Sequence, residues 1–91
     1  MTIRWTRHAL EDLERVHGFM ESVSPARAVA LVDALIGGVE RLGEFPRIGQ
    51  RLTRYSKREV RRVFVGDDEV RYELKGSTIL VLRLWHTRED R

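Results

Sequence analysis

The hydrophobic period of this chain changes at Pro46: apolar residues recur every three or four positions before it and every second position from Val60 onward. A period of 3.6 buries one stripe of a helix, and a period of 2 buries one face of a strand. Both can be satisfied together only if helices from the first half lie on a sheet from the second. Ninety-one residues leave room for one such core. The expectation is a single α+β domain over residues 1–91.

The local signals give the order of its elements. Thr2 to Thr6 reads as a short strand with Ile3 and Trp5 on one side. Leu10, Leu13, Val16 or His17 and Met20 then predict a helix through about Glu21, with Glu11, Asp12 and Glu14 as charges on its solvent face. Ser24-Pro25 starts a second helix, because the serine hydroxyl can cap a free amide and proline at the first position forfeits no hydrogen bond. Its apolar row is Val29, Val32, Ile36 and Val39, widened by Ala28, Leu35 and Leu42, and it ends near Phe45. Gly37-Gly38 inside it points to close packing, and Pro46 stops it.

From Arg47 to Arg58 no period holds, which predicts a basic loop. Val60–Val65, Glu69–Lys75 and Thr78–Trp85 follow as three strands, joined at Gly66-Asp67-Asp68 and Gly76-Ser77. The middle one alternates Val70, Tyr72 and Leu74 against Glu69, Arg71, Glu73 and Lys75. The last carries Ile79-Leu80-Val81-Leu82, apolar on both faces, which places it at the centre of the sheet. The predicted order is β-α-α-β-β-β: an N-terminal strand, an antiparallel helical hairpin and a three-stranded antiparallel meander.

The charge is divided unevenly. Residues 1–45 sum to −2 and residues 46–91 to +5. Between Arg47 and Arg62, seven basic side chains face only Glu59, a local excess of +6 that attracts phosphates or acidic protein segments. Arg47, Arg51, Arg54, Arg58, Arg61 and Arg62 are therefore the candidate partner-binding residues. The chain contains no cysteine, so it has neither disulfide nor thiolate metal site, and it shows no apolar stretch of signal-peptide or membrane-spanning length. A cytoplasmic protein is expected. His8 and His17 stand nine apart, too far to share one metal on a helix face, and no metal or other cofactor is expected.

The run Leu42-Gly-Glu-Phe-Pro46-Arg-Ile-Gly49, the basic loop after it, the meander with a tyrosine in its middle strand, and the ending Val81-Leu82-Arg83-Leu84-Trp85-His86-Thr87-Arg88 together resemble a RelE/ParE-superfamily toxin of a type II toxin-antitoxin system. The resemblance covers nearly the whole chain and is nearer to the ParE-like branch. It implies a non-enzymatic toxin that inhibits DNA gyrase and is neutralised by a cognate antitoxin with an acidic, amphipathic C-terminal segment.

The alternative within the superfamily is a RelE-like, ribosome-dependent mRNA endonuclease. Such an enzyme must deprotonate a ribose hydroxyl, stabilise a phosphorane and protonate the leaving oxygen. The residues available for that are Arg62, His86 and Arg88. The RelE-like branch often carries an arginine where this chain has Glu69, and a carboxylate there repels the scissile phosphate. A second alternative is a basic binding module without toxicity. His86, following an apolar strand, is more often structural than catalytic, Trp5 and Trp85 are most simply core or core-edge aromatics, and Tyr72 reads as a packed residue with a tethered hydroxyl.

Overall fold

The computed structural model describes residues 1–89, two short of the end of the expected domain. Its elements are β1 (Thr2–Trp5), α1 (Arg7–Val23), α2 (Pro25–Arg41), β2 (Gln50–Arg51), β3 (Glu59–Val65), β4 (Asp68–Lys75) and β5 (Thr78–His86). The α+β architecture is as expected, with one refinement. The meander β3-β4-β5 is extended on both sides into a five-stranded mixed sheet of order β1-β5-β4-β3-β2. β1 pairs in parallel with β5, Ile3 opposite Ile79 and Trp5 opposite Val81. Gln50 and Arg51, expected to be loop, pair with Arg62 and Arg61. β4, not β5, is therefore the middle strand, although β5 lies inside the sheet between β1 and β4.

One residue separates the helices. Ser24 has an extended backbone, its amide donates to the Met20 carbonyl at 2.8 Å, and its hydroxyl accepts from the Arg27 amide at 3.3 Å. It thus closes α1 and caps α2 at once, and the hairpin needs no loop. α1 begins where Thr6 leaves the sheet. The Thr6 hydroxyl accepts from the Ala9 amide and donates to the Leu82 carbonyl, fixing the helix start to β5. α2 ends at Arg41 rather than near Phe45, and its last groups are satisfied by tight turns through Glu44.

Both helices lie on one face of the sheet. Ala9 and Val16 of α1, Leu35 and Val39 of α2, Val70 of β4, and Val81 and Leu84 of β5 form the main core. Leu42, Tyr72 and Ile79 form a second cluster that Ile3 and Val63 also contact. The helical faces are rotated from the predicted rows: Leu10, Val29 and Ile36 are exposed, while Ala9, Ala28 and Leu35 are fully buried. Of the glycine pair, Gly38 alone meets a neighbour. A Cβ on it would lie 2.6 Å from a methyl of Val65, so α2 sits directly against β3 there.

The two hairpin turns are two residues long, and each has its glycine first, at φ +59 for Gly66 and +61 for Gly76. Positive φ at the first central position alone is the type II′ pattern, whose twist suits a hairpin. β4 and β5 lose register between Arg71 and Tyr72, since Arg71 opposes Arg83 but Tyr72 opposes Val81. Leu82 is the extra residue. This bulge explains how Val81 and Leu84, three positions apart, both enter the core.

Past the end of β1 the edge of β5 is covered by α1. The Asp12 carboxylate accepts from the Leu84 amide at 3.0 Å, from Arg83 Nε at 2.7 Å and from Arg15 at 2.6 Å, and Arg15 donates to the Leu84 carbonyl at 3.2 Å. Asp12 is buried, so its expected place on the solvent face is corrected. It completes hydrogen bonds that no sixth strand supplies. Burial alone would raise its pKa, but the bonds from Arg83, Arg15 and Leu84 outweigh this and hold the carboxyl below its ordinary value. Among the described residues, no helix is long and apolar enough to cross a membrane.

Candidate partner-binding surface

Tyr72 organises the start of the basic region. Alternation along β4 turns it toward the helices, where it is wholly buried. Its hydroxyl donates to the Pro46 carbonyl at 2.8 Å and accepts from the Gly49 amide at 3.0 Å. This tethers two residues of the Leu-x-x-x-Pro-x-x-Gly run, and burial pushes the phenol's pKa up. Gly49 has no room for a side chain, because a Cβ would come within 2.6 Å of both the Arg62 carbonyl and the Tyr72 hydroxyl. Arg61 secures the other side. Its guanidinium donates to the Gly49 carbonyl at 2.7 Å and to Glu59 at 2.9 Å. The segment from Pro46 to Gly49 is thus pinned through its backbone.

The excess of arginines divides into paired and available groups. Glu59 receives Arg47 and Arg61, whose guanidiniums hold its pKa below the usual carboxylate range. Arg58 pairs with Glu73 of β4 at 2.8 Å, which lowers that carboxyl too. Arg62 is held by the neutral Gln50 side chain at 3.1–3.2 Å and stands 4.0 Å from Glu69. Arg51 and Arg54 are exposed, and the Arg54 guanidinium lies 5.5 Å from the Tyr55 ring. Arg61, committed to the loop carbonyls, positions the surface; Arg47, Arg51 and Arg54 are open to solvent on it.

On the sheet face away from the helices, β4 presents Glu69, Arg71 and Glu73. Glu69 is buried and accepts from Arg71 at 2.8 Å. Trp85, opposite Glu69, has the Arg71 and Arg83 guanidiniums 4.7 and 5.1 Å from its ring. Tyr55, which sequence reading passed over, reaches this face from the loop, 3.5 Å from Arg71. Burial would raise its pKa, but Arg54 and Arg71 outweigh it and lower the phenol. Nothing local in the sequence joins Tyr55 to Arg71.

The three residues available for RNA cleavage do not converge. Arg62 pairs with Arg71 and shares the outer face. His86 opposes Asp68, three residues from Arg71 and therefore on the other face. There His86 and Arg88 line a cavity of about 510 Å³ with Arg15, Val16, Phe19, Met20, Leu31 and Glu89. His86 Nδ1 accepts from the Arg88 amide at 3.1 Å, a local turn contact. Asp68 beside it is buried, its Oδ1 without a partner among the described residues, and burial raises its pKa. Among the described residues no group of three or more potential metal ligands comes together.

The chain thus combines an N-terminal strand docked in parallel on a meander, a helical hairpin on one face of the sheet and a tyrosine-clamped turn leading into a basic segment. Residues 3–91 match the family described as ParE toxin of type II toxin-antitoxin system, parDE, and the chain belongs to that family. Among solved structures it resembles a chain of the chromosomal ParDE toxin-antitoxin system from P. aeruginosa, with 22% identity, a TM-score of 0.77 and coverage of 94% of this chain and 95% of that one. That likeness is one of fold. No curated protein matches the sequence.

Proposed function

We propose that this ParE-family toxin acts by binding DNA gyrase, without cutting RNA, and that a cognate antitoxin with an acidic amphipathic segment neutralises it. The observation that carries the reading is the placement of Glu69. Cleaving a phosphodiester demands cations around one phosphate with an acid and a base in reach. At the centre of the arginine-bearing outer face stands instead a buried carboxylate taken up by Arg71 and near Arg62. The histidine and arginine that would complete a nuclease lie on the opposite face. Binding is then the whole of the chemistry, and the exposed arginines beside the pinned turn suit acidic partners.

The experiment compares two reactions with the same purified protein: supercoiling and DNA cleavage by gyrase, and translation in a cell-free extract. Inhibited supercoiling or accumulated cleaved DNA is expected, with translation intact. Site-specific mRNA cleavage on ribosomes with gyrase unaffected would replace this reading with the nuclease one.

A further inference from the structure

We infer that Phe45 and Ile48 form a preorganised apolar anchor on which the acidic amphipathic segment of the antitoxin docks; this rests on the toxin reading above. Both side chains point to solvent, 56% and 66% exposed. They flank a shallow cavity of about 420 Å³ lined by residues Glu44 to Ile48. Single exposed apolar residues are ordinary on any surface. This pair is distinguished by what holds it. The Tyr72 hydroxyl fixes the Pro46 carbonyl and the Gly49 amide, Arg61 fixes the Gly49 carbonyl, and the Ile48 amide donates to the Phe45 carbonyl at 3.2 Å. A buried tyrosine and a largely buried arginine are thus spent on holding two large apolar side chains outward. A contact made by such a turn loses little backbone freedom on binding.

Charge selects the occupant. Arg47 is two-thirds exposed beside the pair, and Arg51 follows two residues after Gly49. Of the carboxylates in the region, Glu59 and Glu73 are already occupied by Arg47, Arg61 and Arg58, and Glu44, exposed beside Phe45, is outnumbered by the exposed Arg51 and Arg54. The balance of charge around the anchor is positive, which suits an acidic chain. A duplex would satisfy the arginines through its phosphates but, with its bases stacked inside, offers little to a phenyl ring and a sec-butyl group. An amphipathic protein segment offers both acidic and apolar faces. The larger cavity under Phe19, Met20 and Leu31 is lined by two arginines, Arg15 and Arg88, and by the acid Glu89, and Arg15 is already held by Asp12 and Glu89, so its charge selects an acidic occupant less strongly.

The test measures binding of the purified full-length product of a short reading frame adjoining this gene, one that encodes a DNA-binding N-terminus and an acidic tail, to wild type, the double variant F45S/I48S, Ile48→Asp and the control Phe19→Ser. Thermal melting confirms that each is folded, and growth inhibition is measured alongside. The double variant should bind about 30-fold more weakly or worse, chiefly through faster dissociation, and Ile48→Asp should also bind weakly. Both should still inhibit growth, now beyond rescue by the antitoxin, while Phe19→Ser binds as wild type. Unchanged affinity in the double variant overturns the inference, as does weakened binding in Phe19→Ser alone. Loss of toxicity with antitoxin binding intact would assign the anchor to the target instead. Wild-type protein that neither inhibits growth nor binds this antitoxin would bring down the toxin reading itself.

Discussion

Replacing Asp12 tests whether a helix-borne carboxylate completes the edge of β5. Asp12→Ala removes four hydrogen bonds: two from Arg83, one from Arg15 and one from the Leu84 amide. A buried amide left without an acceptor costs about 1–3 kcal/mol, and breaking a buried ion pair by removing one member costs about 3–5 kcal/mol. The second figure must be reduced here, since the Arg15 and Arg83 side chains are 43% and 40% exposed and water can take over part of their solvation. A net loss of about 2–4 kcal/mol follows, a large share of the roughly 5–14 kcal/mol expected for a domain of this size. In thermal unfolding that is a fall in Tm on the order of 10–25 °C. Asp12→Asn keeps an acceptor for Leu84 and should lose less.

The pH dependence has a definite sign. Because the folded pKa of Asp12 is depressed, its contribution is fully present above the unfolded value near 4 and is lost as pH falls through the folded value. The wild type should therefore lose stability below about pH 4 more steeply than Asp12→Asn. An Asp12→Ala protein within about 1 kcal/mol of wild type, or acid profiles that coincide, would refute the edge-completing role.

Other perturbations give equally definite outcomes. Gly49→Ala forces a Cβ against the Arg62 carbonyl and the Tyr72 hydroxyl, so it should cost about 1–3 kcal/mol by denaturant unfolding, with Gly37→Ala as a neutral or stabilising control in open space. Asp68→Asn should raise Tm at neutral pH, because burial lifts the carboxyl's pKa and the folded state gives up stability as pH rises through it; the gain should vanish as pH falls toward 4. His86→Gln, which retains hydrogen bonding but cannot shuttle a proton, should remain folded, bind antitoxin and stay appreciably toxic in a growth assay. Raising salt should slow antitoxin association by the Arg47–Arg62 surface more than it speeds dissociation, measurable by stopped flow.

Much of the fold is written in local signals. Ser24-Pro25, the two glycine-led turns and the alternation of Val70, Tyr72 and Leu74 each act within a few residues, and each gives the element seen. What escaped depends on distant partners. Asp12 looks like a surface acid until Leu84 and Arg83, more than seventy residues away, are brought against it. β1 declares a strand but not its parallel docking on β5, and β2 is too short to show a period. The run Ile79-Leu80-Val81-Leu82, apolar on both faces, marks β5 as interior and not an edge, but the neighbours that set its place between β1 and β4 and the bulge at Leu82 are not local signals. The candidate site was legible as composition only. The run of arginines is visible, but Glu73, which engages Arg58, comes from β4, and the tyrosine clamp joins residues 23 and 26 positions apart.

The central claim is toxicity by binding gyrase rather than by cleaving RNA. It is tested most directly by inducing the toxin in cells and, from one harvest, mapping protein-linked DNA breaks together with new RNA 5′ ends. The account predicts gyrase-linked DNA breaks that appear with growth arrest and disappear when the antitoxin is co-expressed, with RNA ends unchanged. New RNA ends within translated reading frames, arising before any DNA break, would contradict it.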